Sequence, residues 1–449
     1  MTEKRNISLP SCMLGVLCLF ITLPAVLSAA TLRVPSDFQT IQSAIDASTA
    51  GDTVVVADGT YKGFGNKDLD FKGKSITVKS ENGPYHCTVD CEGNGRGFHF
   101  KTLELNDAIL SGLTIINGHA TYGGAIYCEK SSPTIYHCVI RENTAQTHGG
   151  GIFVTSASPI ISHCIVENNI AKDQMGGGIY GESNTAKILN CIISGNRCGI
   201  EGGGLVLMGT SQVVHCTISG NTAMSNGGGM ACLFSLPGPT ITNAILWDNS
   251  PDEIYAMQSA PTFNYSNIKG GYAGTGNINA DPLFKAGSQF RLTSESPCID
   301  KGLNQGAPSP DLDGDERPQG IGVDMGADEW SPDTAGPQSE FTSEPHAGFA
   351  PHTVYFSSGS TGNIQQWLWD FGDGYTGNEP NPTHTYHAAG VFTVRLKVVG
   401  FLGTDTETKT DHIVVKCPTK LMGDVDNDGK IGLEEAIHAL QILSGIKQD

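Results

Sequence analysis

The stretch Asp424-Val425-Asp426-Asn427-Asp428-Gly429-Lys430-Ile431-Gly432-Leu433-Glu434-Glu435 sets carboxylates at loop positions one, three, five and twelve, with glycine at six. Hard oxygen ligands at that spacing wrap a calcium ion, and the glycine permits the sharp turn between them. Asp424, Asp426, Asp428 and Glu435 are the expected side-chain ligands, Lys430 offers its carbonyl and Gly432 a water-mediated contact. A helix is expected to follow, with Leu433, Ala436, Ile437, Leu440 and Leu443 on one face and Gly445 at its end. A second run, Asp311-Leu312-Asp313-Gly314-Asp315, also alternates carboxylates. Glu316 stands there where a calcium loop wants glycine, so this run reads as a turn.

Most of the chain carries a different signal. Asn117, Asn143, Asn169, Asn196, Asn221 and Asn249 recur at a period in the twenties, and Cys138, Cys164, Cys191 and Cys216 precede the middle four by five residues. Glycine pairs or triplets keep step at 123–124, 149–151, 176–178, 202–204 and 227–229. Such a period marks a solenoid, in which each coil buries its apolar face only against its neighbours. Apolar residues alternate around the cysteines (Ile135, Ile161, Ile188, Val213, Ile241; then Ile140, Val166, Ile193, Ile218, Leu246), giving several short strands per coil. Parallel coils stacked about 4.8 Å apart place like residues over like residues, and about ten coils would span roughly 45–50 Å. The asparagines are expected to satisfy the backbone of a sharp turn, the cysteines to form a buried stack, and the glycines to supply positive φ at another corner. The pairing of Cys87, Cys91, Cys128 and Cys232 is left open.

A further polar column, His137, His163, Asn190, His215 and Asn243, has the look of a metal ladder. Asparagine is a poor transition-metal ligand, which favours a corner role. Catalysis of glycan cleavage needs a positioned acid and base. Glu142 and Glu167 nearly share a column but have no matched partner, and they read as solvated turn charges.

Before the repeats, Phe38, Ile41 and Ile45 line one face of a short helix suited to closing the open end of the solenoid. Lys4 and Arg5, the apolar run Met13 to Leu27 and Ser28-Ala29-Ala30 form an export leader over residues 1–30. A retained anchor is the competing reading; after leader removal no membrane span is expected. The net charge of -19 and the lack of basic clusters exclude a nucleic-acid-binding surface. From Ser331 to Ser339 the composition is that of a linker. Beyond it, Thr353 to Phe356, Trp367 to Phe371, Val391 to Val399 and His412 to Val415 describe a small β-sandwich with Trp367, Trp369 and Phe371 on its core face.

The opening Val34 to Ile45, continued through Ala57-Asp58-Gly59-Thr60-Tyr61, resembles right-handed parallel β-helix proteins of the pectin-lyase-like superfamily. Asp281-Pro282-Leu283-Phe284, Ser296-Pro297-Cys298-Ile299-Asp300 and Val323 to Glu329 resemble the end of β-helix regions called choice-of-anchor Q. Trp369-Asp370-Phe371-Gly372-Asp373-Gly374 resembles the signature of a PKD domain, where the two aspartates are expected to hold the turn. The calcium loop is similar to a dockerin repeat, but one repeat stands where dockerins carry two, and Glu435 is closer to an ordinary EF-hand. These resemblances imply an all-β protein: leader 1–30, right-handed parallel β-helix 31–330, linker 331–339, PKD sandwich 340–416 and calcium loop with helix 417–449. They imply a secreted or cell-surface protein whose partner is a polysaccharide or cell-surface glycan, with a surface protein as a further partner and Ca2+ as its ion. The missing acid and base favour a non-catalytic carbohydrate-binding or adhesive scaffold; the alternative is a polysaccharide lyase or glycoside hydrolase.

Overall fold

The computed structural model describes residues 29–331, 337–362, 364–400, 403–417 and 432–444. Nearly all of the expected leader, and the expected calcium ligands Asp424, Asp426, Asp428 and Lys430, lie outside the described residues. The described residues divide into two compact units, one holding 29–280 with 306–313 and 325–327, the other holding the rest of them.

The first unit is a right-handed β-solenoid of about nine turns. One coil shows how it is built. Thr134–Tyr136 joins a ten-stranded parallel sheet, Val139–Arg141 a nine-stranded one, Thr144–His148 a five-stranded one and Ile152–Thr155 a seven-stranded one. Each strand pairs in register with its equivalent one coil away, as Ile135 with Ile161 and Ile140 with Val166. Alternation follows from the two-residue strand period. The columns Ile135, Ile161, Ile188 and Ile140, Val166, Ile193 are wholly buried, together with Ile152, Leu205 and Met230 from the seven-stranded sheet. Each such side chain contributes about 1.5–3 kcal/mol by leaving water.

The N-terminal end is closed as the sequence suggests. Helix Ile41–Ala47 begins at a capping box between Thr40 and Ser43 and buries Ile41, Ala44 and Ile45 in the solenoid core, with Phe38 packed beside them. Residues 306–313 and 325–327 lie back along the coils: Gly326 donates its amide to the Asn243 carbonyl at 2.8 Å, and Ala327 to Thr217 Oγ1 at 3.1 Å.

The second unit contains a β-sandwich. Its three-stranded sheet pairs Phe341–Glu344, His352–Ser358 and Thr383–Tyr386; its five-stranded sheet centres on Gly390–Gly400 against Gly403–Lys416 and Gln366–Asp370. Trp369, Phe371, Phe341, Phe356 and Tyr386 fill the core, with Trp367 half-buried at its margin. Asp370 accepts from the Gly372 amide and Asp373 from the Tyr375 amide, so both aspartates hold the turn. The chain also forms the expected helix Leu433–Leu443. Its apolar face is open, with Leu433 77% and Leu443 83% exposed. Among the described residues no helix is long and apolar enough to cross a membrane.

Candidate functional site: an aromatic crease on the solenoid

Between the five-stranded and seven-stranded sheets the chain turns sharply at the glycine column. Gly149 has φ +66°, and a Cβ there would sit 2.9 Å from the Phe153 Cβ. Gly177 has no room for a different reason: its Cβ would lie 2.4 Å from the Gly203 carbonyl oxygen and 2.5 Å from that of Arg197. The turn therefore doubles back onto the outward face of the next strand, and the outer surface is creased there.

Two rows of side chains line the crease. One is the outward row of the seven-stranded sheet, His99, Tyr127, Phe153, Tyr180, Val206, Ala231 and Tyr255. The other precedes the glycines: Tyr122, His148, Met175, Glu201 and Asn226, each next to its neighbour across coils. The rows touch. Tyr122 lies 5.0 Å from Phe153, His148 stacks on Tyr180 at 4.4 Å, and Phe153 on Tyr180 at 5.2 Å and 13°. Phe153 and Tyr180 are 4% and 5% exposed although they point outward, while Tyr122 is 39% exposed. Burial holds the His148 imidazole below its ordinary pKa and pushes the Tyr180 phenol up to about 12. Phe153 and Tyr180 are packed on each other, while Tyr122, Tyr127 and His148 keep part of their surface open. The sequence carries this row at the position between two inward residues, as in Ile126-Tyr127-Cys128, but strand alternation shows only that these residues face outward, not which of them share a surface.

At the N-terminal end of the crease, Arg96 sets its guanidinium 5.1 Å over the Tyr127 ring, and His99 stacks on the same ring at 4.7 Å. Further along, Glu201 is 8% exposed; its Oε1 accepts from Asn226 Nδ2 at 3.3 Å and its Oε2 is buried with no partner among the described residues.

The asparagine ladder is structural, with one correction. Asn143, Asn169, Asn196 and Asn221 each donate both the main-chain amide and Nδ2 to the Oδ1 of the next rung, at 2.9–3.0 Å. Asn249 ends the column on the Glu253 carboxylate. Asn117 is not a rung. Thr114 pairs with Val139, so Gly118 holds the equivalent place and its amide donates to Asn143 Oδ1 at 2.8 Å. Asn117 belongs one residue earlier, at φ +56°, and its Nδ2 reaches Asp90 at 2.9 Å. The first coil is one residue shorter than the 26-residue spacing implies, and spacing alone cannot reveal that. Burial works against ionisation of Asp90, but hydrogen bonds from Lys62, Asn117 and the Glu92 amide outweigh it and hold the pKa at about 2.

Cys138, Cys164, Cys191 and Cys216 form the expected stack. Each thiol lies 3.2–3.4 Å from the carbonyl two residues earlier. Burial pushes the thiols of Cys138, Cys164 and Cys191 well above their ordinary range. Cys87, Cys91, Cys128 and Cys232 are free and buried, which resolves the pairing left open by the sequence. The histidine column is a corner: His137, His163, Asn190, His215 and Asn243 all have φ between 48° and 55°. His163 Nε2 and Asn190 Nδ2 both meet the Pro310 carbonyl, at 3.1 and 2.8 Å.

Glu142 pairs with Arg141 at 2.7 Å in solvent, and Glu167 stands opposite Arg141 in the register. Asp311 Oδ1 accepts from the Asp313 amide at 3.1 Å, which closes the turn. Of the residues expected to bind calcium, Glu435 is described: it is buried in the first turn of the C-terminal helix, its Oε2 accepting from the Gly432 amide at 2.7 Å.

Comparison with known proteins matches residues 40–212 to the right handed beta helix region and residues 333–415 to the PKD domain. The chain is similar to the collagenase ColA of Bacillus cereus, 36% identical over 78 residues, covering 16% of this chain and 8% of that protein. It is similar to the pre-pro-metalloprotease PrtV of Vibrio cholerae, 45% identical over 65 residues, covering 14% of this chain and 7% of that protein. The chain therefore spans less than a tenth of these relatives. Among solved structures, the PKD1 domain of PrtV matches with 32% identity and a TM-score of 0.16, covering 18% of this chain and 99% of that one. Pectate lyase Pel9A matches with 12% identity and a TM-score of 0.35, covering 68% and 97%. A right-handed β-helix followed by a PKD sandwich is thus the architecture that sequence, fold and family models share.

Proposed function

We propose that this chain is an exported, extracellular carbohydrate-binding scaffold whose β-helix carries the glycan and whose C-terminal loop binds calcium. The aromatic crease carries the reading. Neutral rings held flat along a groove bind the apolar faces of sugar rings, and they lose little conformational freedom in doing so because they are already packed. A polysaccharide laid along the coil axis meets Tyr122, Tyr127 and His148 in turn. The leader-like start and the likeness to a collagenase and a pre-pro-metalloprotease support export. Asp424, Asp426, Asp428, the Lys430 carbonyl and Glu435 would hold the ion, which supplies charge neutralisation to a loop that otherwise repels itself. Glu435 at the start of a helix fits that task.

The test is retention of the purified chain on plant, algal and bacterial polysaccharides, with newly formed reducing or unsaturated ends recorded alongside. Retention without new ends, lost in Tyr127→Ala, is the expected result. One observation favours the enzymatic alternative of a lyase or glycosidase: Glu201 keeps a buried carboxylate oxygen unpartnered in the crease. New ends that disappear in Glu201→Gln would establish that reading instead.

A further inference from the structure

At one end of the sandwich the chain crosses from Phe341–Glu344 in the smaller sheet to Ala347–Phe349 in the larger, and histidines gather at the crossing. His346 stands on it, and its ring lies 4.7 Å from that of His412 at a tilt of 59°. The His346 carbonyl accepts from the Val414 amide at 2.9 Å, which ties the crossing to Gly403–Lys416. His352 backs the same turn: its Nε2 is 3.2 Å from the Pro345 carbonyl, and its ring fills the space that a Cβ on Gly348 would need. His412 owes its aim to a bulge. Phe392 pairs with Ile413 and Val394 with Lys409, so Thr410, Asp411 and His412 stand opposite Thr393 alone, with Asp411 at φ +54°. Such a bulge re-aims the side chain that it carries. The His412 Nε2 lies 2.8 Å from the buried Ser343 Oγ, which leaves Nδ1 for another contact. The His346 ring makes no hydrogen bond or ion pair among the described residues.

We propose that His346 and His412 form a two-imidazole site for a late first-row divalent transition ion, copper(II) ahead of nickel(II) and zinc(II), with water completing its coordination. An imidazole nitrogen binds such an ion at about 2.0–2.1 Å, which sets the metal roughly 3.2 Å from the ring centre. Two rings on one ion then have centres about 4.5 Å apart at a right angle and about 5.2 Å apart at the tetrahedral angle. The observed 4.7 Å falls between these, and the 59° tilt lets the ring planes cross, as they must at a shared ion. A ligating imidazole is usually fixed through its other nitrogen, and Ser343 holds His412 in that way. Burial first, then His346 and Lys409, keep the His412 imidazole below its ordinary pKa, so it retains a lone pair at pH 7. The Lys409 charge is itself met by Glu340 at 3.2 Å and Glu407 at 3.5 Å. The ion would clamp the crossing at 345–346 to the strand Gly403–Lys416. Nitrogen ligands separate this site from the proposed calcium loop, whose hard oxygens suit calcium. It stands independently of the glycan reading.

The experiment titrates copper(II) into the full chain at neutral pH, with millimolar calcium present to occupy hard-oxygen sites. Binding is followed by electron paramagnetic resonance and by melting temperature. One tight equivalent is expected, with hyperfine splitting from two nitrogens and a rise in the melting temperature of the sandwich. His346→Ala, at an exposed position, should weaken that equivalent at least tenfold and abolish the rise. Its melting temperature in EDTA should match that of the native chain, which separates ligation from folding. His412→Ala should weaken binding to the same degree, and nickel(II) and zinc(II) should bind the native chain more weakly than copper(II). Copper bound equally well by the native chain and by His346→Ala overturns the assignment, as does a signal from one nitrogen or none.

Discussion

Two corners of the same coil are built on opposite rules. At the ladder corner the position is filled by the same residue in five successive coils, Asn143 to Asn249, each facing inward and wholly or nearly buried. At the crease the row runs Tyr122, His148, Met175, Glu201, Asn226 and changes character at every coil. The ladder must repeat because each Asn Oδ1 serves the amide one coil away, so a rung works only beside another rung. The crease is coupled more loosely: the Met175 amide reaches His148 and Asn226 reaches Glu201, but no side chain there needs its own kind in the next coil. Its side chains contact solvent and one another, and each can be chosen for what it meets. Repetition here marks the packing of one coil on the next, and variation marks the surface on which the proposed recognition rests.

The comparison can be broken most forcefully at the ladder. Asn196→Ala leaves the Asn169 amide without its acceptor in the core, and takes the Oδ1 from Asn169 Nδ2 and one donor from the Val166 carbonyl. At about 1–3 kcal/mol for each group that loses a partner, we expect a loss of about 4 kcal/mol, read by urea denaturation. A loss below about 1 kcal/mol would show that the ladder is incidental.

Gly177→Ala comes next. The new methyl would meet carbonyl oxygens at 2.4 and 2.5 Å, both main-chain and unable to swing away. About 3 kcal/mol of destabilisation is expected, within the range for strained core positions. A neutral result would mean that the turn relaxes and the crease is not rigid.

Tyr127→Ala sharpens the contrast from the other side. Stability should change by less than about 1.5 kcal/mol at this half-buried outward site, while affinity for retained glycans falls at least tenfold, about 1.4 kcal/mol. Equal affinity would remove the crease from the function.

The smallest effect is one of pH. Asp90, which receives Asn117, has a pKa of about 2 in the folded chain against an ordinary value near 3.9. Its contribution is fully present above about pH 4 and is lost as the pH falls towards 2. Asp90→Asn should therefore flatten the acid limb of a melting-temperature profile over that window and leave the neutral region little changed. At the other end, Glu253 is raised by burial, only partly offset by Asn249, and works in the reverse direction.

How much of this was legible beforehand depends on the range of the interaction. The capping helix was readable because Ile41 and Ile45 are four apart and both bury on one face. The cysteine stack was readable because an inward column repeats its surroundings with every coil. Asn117 was misplaced because a spacing of 26 is as common as 25 in this chain, and only the strand register distinguishes them. The open corner of His163 and Asn190 gave no sign that the distant Pro310 would meet it, 147 and 120 residues away.

The sequence by itself determined the repeat, the inward columns and the sandwich, because these follow from local spacing and from residue chemistry that recurs along the chain. Only the tertiary structure decided which outward side chains share a surface. Tyr122 and Phe153 lie a coil apart in the chain and touch because the glycine turn folds one sheet against the face of the next. Arg96 meets Tyr127 for the same reason. Contacts across such a crease depend on the angle between sheets, and no one-dimensional period encodes that angle.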